Sequence, residues 1–195
     1  MEALAESAQP AGVSEIARRV SLSKSTVHGV LNTLTGLGYV EQDHSTARYR
    51  LGVRIFQLAS SVPIVGDVRA AAGPYLERLV QKYAETVHLV VLDEGQALYI
   101  DKRESPQSVH VVSQVGRKLP CHCTGVGKAL LAYLPRDQLD AIIRRGLPRY
   151  TARTITDPAR LYEQLKAVRE RGYAIDDEEI MDGLRCVAAP IRNYT

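Results

Sequence analysis

The sequence predicts an α+β protein in two parts. Residues 1–62 form a small, mainly helical domain ending in a hairpin and the start of a linker helix; residues 63–195 form an antiparallel sheet with flanking helices. Three observations carry this reading. Between Ser14 and Leu37, apolar residues recur at helical spacing in two short runs separated by a tight turn. From Thr86 the hydrophobic period falls to two and β-branched residues become frequent. After that point strands and helices come in separate groups rather than alternating, which distinguishes α+β from a parallel α/β sheet.

Taken in order, Ser14 is the expected N-cap of a first helix that buries Ile16, Ala17 and Val20. The chain turns around Ser21-Leu22, and a second helix starts near Ser23 with Val27, Val30, Leu31, Leu34 and Leu37 as one apolar stripe. A connection of about three residues between two such helices is the spacing of a helix-turn-helix. Gly38 suits a left-handed helix stop, and "YVEQDHSTARYRLG" reads as two short strands around the polar tip His44-Ser45-Thr46-Ala47. The result is a winged helix-turn-helix.

The stripe leaves Ser23, Lys24, Ser25, Thr26, His28 and Asn32 on the opposite face or at the amino end of the second helix. Short hydroxyls there reach phosphates and base edges, the helix amino terminus carries partial positive charge, and Lys24 adds a full one. On the wing, Ser45, Thr46, Arg48 and Arg50 are the candidate contacts to double-stranded DNA. Net charge over all 195 residues is only +3, but between Ile16 and Arg54 six cationic side chains face only Glu41 and Asp43. A serine-rich helix start is by itself an ordinary cap; the ordered succession of turn, amphipathic helix, glycine stop and basic hairpin is what favours DNA.

The run "IARRVSLSKSTVHGVLNTLTGLGYVEQD" resembles the winged helix-turn-helix of the IclR family of bacterial transcriptional regulators, and the resemblance extends over nearly the whole chain. It implies a DNA-binding regulator, repressor or activator, acting as a homodimer or homotetramer on a pseudo-palindromic operator, with a GAF-like effector-binding domain behind. Two departures bear on affinity. Ser21-Leu22-Ser23 stands where the family often has Gly-Leu-Pro, and Gly29 stands where it commonly has a basic residue, so modest DNA affinity per subunit is expected. Set against the family pattern, the chain reads as truncated at both ends: Met1 falls mid-helix, and a further strand with a Ser-x-Ser segment and a closing helix would follow Thr195.

The linker region contains a short helix with Ile55, Phe56 and Leu58, a break at Ser60-Ser61-Val62-Pro63, and a second helix from about Asp67, with Gly73-Pro74 as a possible bend. Strands are expected at 86–92, 96–104 and 108–116, then helices at about 126–133, 136–144 and 158–171, then strands at 173–175 and 184–189. In "GRKLPCHCTGVGKALLAYL" a glycine-rich entrance precedes a helix. A nucleotide phosphate loop would need glycine at His122 and Ser or Thr at Ala129, so a smaller anion fits better.

The family resemblance implies that Gly125 and Val126 offer backbone amides to the carboxylate of a small effector, aromatic acids included. It also implies that Asp176 and Cys186, in "GYAIDDEEIMDGLRCVAAPI", line the same pocket. The rest of "DDEE", Asp177 to Glu179, reads as a solvated turn. Cys121, His122, Cys123 and Cys186 raise the question of zinc, but C-x-C is not the usual ligand spacing and buried structural cysteines are the better reading. No hydrolytic signature surrounds them, so no enzyme activity, metal or cofactor is expected. The cysteine pattern, with no signal peptide or membrane-spanning run, predicts a cytoplasmic protein without disulfides or membrane contact. The competing function is a small-molecule-binding or metabolic protein whose helix-turn-helix serves dimerisation only.

Overall fold

The computed structural model describes all residues except Ala8, 108–112 and 193–195, together with the side chains of 63–66. The chain divides into two compact units, Met1–Val68 and Arg69–Thr195.

In the first unit α1 (Glu2–Ala5), α2 (Val13–Arg19) and α3 (Lys24–Gly36) precede a hairpin of β1 (Val40–Gln42) and β2 (Tyr49–Leu51), then α4 (Arg54–Ser60). Leu4, Ala11, Ile16, Ala17, Val27, Leu31, Val40 and Tyr49 form the core, with Val13, Leu34 and Leu51 packed against it. The α2 N-cap is Gly12 rather than Ser14, because the helix begins at Val13 and its first amides already reach the Gly12 carbonyl. Val20, Val30 and Leu37, expected to be buried, are 40%, 51% and 58% exposed. The apolar stripe is wider than the surface α1, α2 and the hairpin present to it: Val27 and Leu31 are buried and Leu34 is half-covered, while Val30 and Leu37 stay outside. Its uncovered edge, with Val20, Leu22 and Val30, opens an apolar groove of about 130 Å³.

Gly38 ends α3 as expected, at φ +76°. Its amide bonds the Thr35 carbonyl and the Tyr39 amide bonds that of Leu34, the paired pattern of a Schellman stop. Ser21, in the turn between α2 and α3, is also left-handed at φ +55°. The turn geometry asks for glycine there, and serine costs about 1 kcal/mol in its place.

The linker breaks after Ser61, but α5 (Pro63–Tyr83) starts at the proline rather than near Asp67. A residue without an N–H suits the first helical position, where that donor has no partner. Gly73-Pro74 lies inside α5 without ending it.

In the second unit β3 (Val87–Asp93) and β4 (Gln96–Arg103) form a hairpin through Glu94-Gly95, both at positive φ. Leu89 pairs with Asp101 and Val90 with Tyr99, leaving Ile100 as a bulge. Of the strand expected at 108–116, residues 108–112 lie outside the described residues, and Gln114–Arg117 closes a tight turn. Among the described residues the third strand of the sheet is β5 (Lys118–Pro120), antiparallel to β4. It was hidden in a three-residue segment too short to show a period.

The helices α6 (Gly125–Leu131), α7 (Arg136–Arg144) and α8 (Pro158–Arg171) follow, then the antiparallel pair β6 (Ala174–Asp177) and β7 (Arg185–Ala188). Asp157 caps α8 through the Ala159 amide and Gly172, at φ +84°, stops it. The core joins Ala97 and Cys121 to Ala129, Leu131 and Ala132 of the α6 segment, Leu139 of α7, Leu161, Leu165 and Val168 of α8, and Ala174 of β6. Among the described residues no helix is long and apolar enough to cross a membrane.

Candidate functional site

In the first unit the expected DNA contacts lie on one exposed end of α3. Ser23 is the N-cap: its Oγ accepts the Thr26 amide at 3.1 Å and shares hydrogen bonds with Ser25 Oγ at 2.9 Å and Thr26 Oγ1 at 2.8 Å. These hydroxyls are therefore pre-ordered while remaining open to solvent. Lys24 is exposed and, among the described residues, has no carboxylate partner. One turn on, His28 and Asn32 approach each other at 3.4 Å on the same exposed face.

The wing tip is built on Asp43. Its Oδ1 accepts the Ser45 amide at 2.8 Å, the Ser45 hydroxyl at 2.6 Å and the Thr46 amide at 3.2 Å. Bonds that favour the ionised form hold its carboxyl down at about 2. The two wing arginines are engaged within the unit. Arg48 donates to the Pro10 carbonyl at 2.5 Å, and Arg50 Nε and Nη2 both donate to Glu41 Oε2, at 3.0 and 2.8 Å. At the tip the Ser45 hydroxyl and amide are held by the Asp43 carboxylate, while Arg48 also lies 3.8 Å from Glu15 and Arg50 is paired with Glu41.

In the second unit Asp176 and Cys186 are directly opposed across the β6–β7 pair. Asp176 is fully buried, its Oδ1 accepting the Glu179 amide at 2.8 Å and its Oδ2 lying 3.6 Å from Cys186 Sγ. Burial raises its carboxyl above the ordinary range, against the lowering effect of the Glu179 amide and Lys128. Gly125 packs on this pair: a Cβ there would stand 3.4 Å from Cys186 Sγ and 3.6 Å from the Asp176 nitrogen. The Gly125 backbone beside the sulfur works against the rise that burial imposes on the Cys186 thiol. Cys186 as a whole residue is exposed, yet its sulfur faces inward, and burial pushes the thiol up to about 11. It is a hydrogen-bonding group here, not a nucleophile. Val126 is half-buried beside Gly125 and packs on the core.

Beneath this cluster Lys128, 1% exposed, forms an ion pair with Glu179 Oε1. Glu179 is 7% exposed, which corrects the solvated-turn reading of this residue. Its backbone carbonyl accepts the Thr154 hydroxyl at 2.6 Å, and its Oε2 has no hydrogen-bond partner among the described residues. Burial raises its carboxyl and Lys128 opposes the rise. Lys128, Glu179 and Thr154 were not legible as site residues, although a lysine and an acid in otherwise apolar surroundings were the available signal.

Gly127 serves packing, since a Cβ there would stand 2.2 Å from Cys121 Cα. Cys121 and Cys123 are buried and burial pushes both thiols up to about 12. His122 is bonded to the Pro148 carbonyl at 2.9 Å. Among the described residues no group of His, Cys, Asp or Glu side chains is arranged to hold a metal ion.

The family profile for the bacterial transcriptional regulator IclR C-terminal domain matches residues 64–195, and that for the IclR helix-turn-helix domain matches residues 1–44. The chain belongs to the IclR family of transcriptional regulators.

Its curated relatives in the IclR family are regulators rather than enzymes. The chain is 35% identical over 190 residues to the HTH-type transcriptional regulator XynR of Escherichia coli K12, covering 97% of this chain and 75% of that one. It is 36% identical over 194 residues to the transcriptional repressor IclR of the same organism, covering 98% and 71%. Among solved structures, an IclR homolog from Microbacterium hydrocarbonoxydans complexed with 4-hydroxybenzoate superposes with a TM-score of 0.90 at 28% identity, covering 99% of this chain and 80% of that one. Thermotoga maritima IclR superposes with a TM-score of 0.73 at 32% identity, covering 97% and 77%. The protein is accordingly an IclR-type regulator with a helix-turn-helix domain and an effector-binding domain.

Proposed function

We propose that this IclR-type regulator binds operator DNA through Ser23, Lys24, Ser25, Thr26, His28 and Asn32 of the α3 end and through the wing around Ser45–Arg50, and that a small carboxylate bound beside Gly125, Val126, Asp176 and Cys186 modulates that binding. The observation that carries the effector half is the convergence of the Gly125 amide, Asp176 and Cys186 at one point of the second unit. The 4-hydroxybenzoate in the Microbacterium homolog supports the ligand class, since that molecule is an aromatic carboxylate. A carboxylate oxygen is a better acceptor than a thiol sulfur. A ligand carboxylate would therefore be favoured at the Gly125 amide, with the Cys186 thiol kept on Asp176.

A single recognition helix reads too few base pairs for useful specificity, so the operator is a pseudo-palindrome bound by at least a dimer. The effector acts only through unequal affinity for DNA-competent and DNA-incompetent arrangements. The test is fluorescence anisotropy with duplex from upstream of the protein's own gene against random duplex, at two salt concentrations, with and without a panel of small carboxylates. Sequence-dependent binding that an acid, but not its amide, shifts is the expected result. Equal affinity for both duplexes, unmoved by any acid, overturns the reading.

A further inference from the structure

We infer that the buried Lys128–Glu179 ion pair is a positioning device for the effector site: it ties the turn from Asp176 to Glu179 to α6, so that Asp176 and Cys186 keep a fixed place against Gly125. The inference rests on the small-carboxylate reading above and names two residues that act on the ligand through others.

The turn that needs holding is strained. Asp176 Oδ1 accepts the Glu179 amide at 2.8 Å, a bond that closes the turn across Glu178. Glu178 itself sits at φ +62°, where a residue with a Cβ costs about 1–2 kcal/mol. Such a backbone persists only where its surroundings over-determine it. The Glu178 amide donates to the Leu184 carbonyl at 2.9 Å, the Thr151 hydroxyl to the Glu178 carbonyl at 2.7 Å and the Thr154 hydroxyl to the Glu179 carbonyl at 2.6 Å. These contacts tie the turn to its own strand pair and to the 151–154 segment. The tie to α6 is the Lys128 ammonium on the Glu179 carboxylate.

Lys128 follows Gly125 by three positions on α6, so the two lie on one side of the helix. Gly125 abuts Cys186 Sγ and the Asp176 nitrogen, and Lys128 grips the far end of the same turn. Two contacts from one helix fix both the distance and the tilt of the β6–β7 pair, which a single contact does not. The helix is itself anchored, since Thr124 Oγ1 accepts the Gly127 amide at 3.2 Å and donates to the Pro120 carbonyl at 2.9 Å. As a source of stability the pair is a poor choice: both groups are desolvated, and Glu179 Oε2 has no hydrogen-bond partner among the described residues. What the pair supplies is direction, because a charge-assisted bond holds one oxygen in place where two apolar side chains slide.

The test is titration calorimetry of the full chain, of Glu179→Asp and of Glu179→Gln with 4-hydroxybenzoate, benzoate and acetate, with benzamide as the uncharged control. Thermal unfolding first fixes a temperature at which all three proteins are folded. Aspartate keeps the charge and shortens the arm by one methylene; glutamine keeps the arm and removes the charge. For an acid the parent binds, the aspartate variant is expected to lose about ten-fold in affinity, the equivalent of one misaligned hydrogen bond to a charged partner, and the glutamine variant to stay within about two-fold. A glutamine variant that loses as much as the aspartate variant or more shows that charge acts rather than length, and equal affinity of all three proteins shows that the pair serves the fold alone. Either result overturns the positioning role and leaves the carboxylate reading standing. A parent chain that binds none of the acids, or binds benzamide as well as benzoate, overturns both.

Discussion

The amino end of α3 and the buried cluster around α6 are both dense groups of polar side chains, but they solve opposite problems. At α3 the hydroxyls of Ser23, Ser25 and Thr26 bond one another and stay exposed, so water satisfies whatever they leave over. Behind α6, Lys128, Glu179 and Asp176 are buried, and each depends on a specific neighbour. Apart from the Ser23 cap, the first cluster can be rebuilt at little cost to the fold, whereas the second is part of the fold. A DNA interface that meets a hydrated backbone tolerates exposure; a small-ligand site needs a dry, fixed frame.

The sharpest way to break this contrast is Lys128→Met. Removing one partner leaves the Glu179 carboxylate buried and unpaired, which destabilises by about 3–5 kcal/mol. The double change Lys128→Met with Glu179→Leu recovers most of that, since two apolar groups desolvate no charge. Urea unfolding followed by far-UV circular dichroism measures both. A single variant as stable as the parent would mean that the pair is not load-sharing with the core.

One substitution made twice sharpens the contrast. Gly127→Ala brings a Cβ to 2.2 Å from the Cys121 Cα and is expected to cost about 1–3 kcal/mol. Gly29→Ala places a Cβ on the exposed side of α3 with nothing within 4 Å and is expected to stabilise by about 1 kcal/mol. Thermal midpoints moving in the same direction would contradict the division between an open and a close-packed helix start.

Lys24→Ala carries the contrast into function. Stability is expected to change by less than about 0.5 kcal/mol, while affinity falls equally for specific and random duplex and the salt slope drops by about 1. A change at Thr26 that shifts sequence preference instead would separate base reading from phosphate binding at neighbouring residues.

The smallest expected effect is at the wing. The Asp43 carboxyl is held at about 2, below its ordinary 3.8, so the turn's stabilisation is fully present above the ordinary value and is lost as pH falls through about 2. The amide signals of Ser45 and Thr46, followed by NMR down to that pH, should move with the same midpoint. A midpoint near 4 would show that the carboxylate does not hold the tip.

Much of this was legible before any coordinates. The α3 cap at Ser23, the glycine stop at Gly38, the wing, the break before Pro63 and three later helices follow from local rules, because each depends on residues a few positions apart. The pairing of Asp176 with Cys186 also falls within one hairpin. The misjudgements share a different cause. Val20, Val30 and Leu37 have the right period for burial, but period says nothing of how wide the facing surface is. Glu179 looks like its solvated neighbours until Lys128, far away in sequence, arrives beneath it.

The sequence by itself thus determined most of the order of elements and the residues that share each local turn, because hydrogen-bonding and steric rules over a few residues suffice for these, and its resemblance to known regulators pointed to the family. Only the tertiary structure decided that the wing arginines close on Glu41 and the Pro10 carbonyl, that Gly125 abuts Cys186, and that Lys128 meets Glu179. Each of those depends on segments brought together by burial of apolar surface, a force without direction that leaves no mark at the positions it unites.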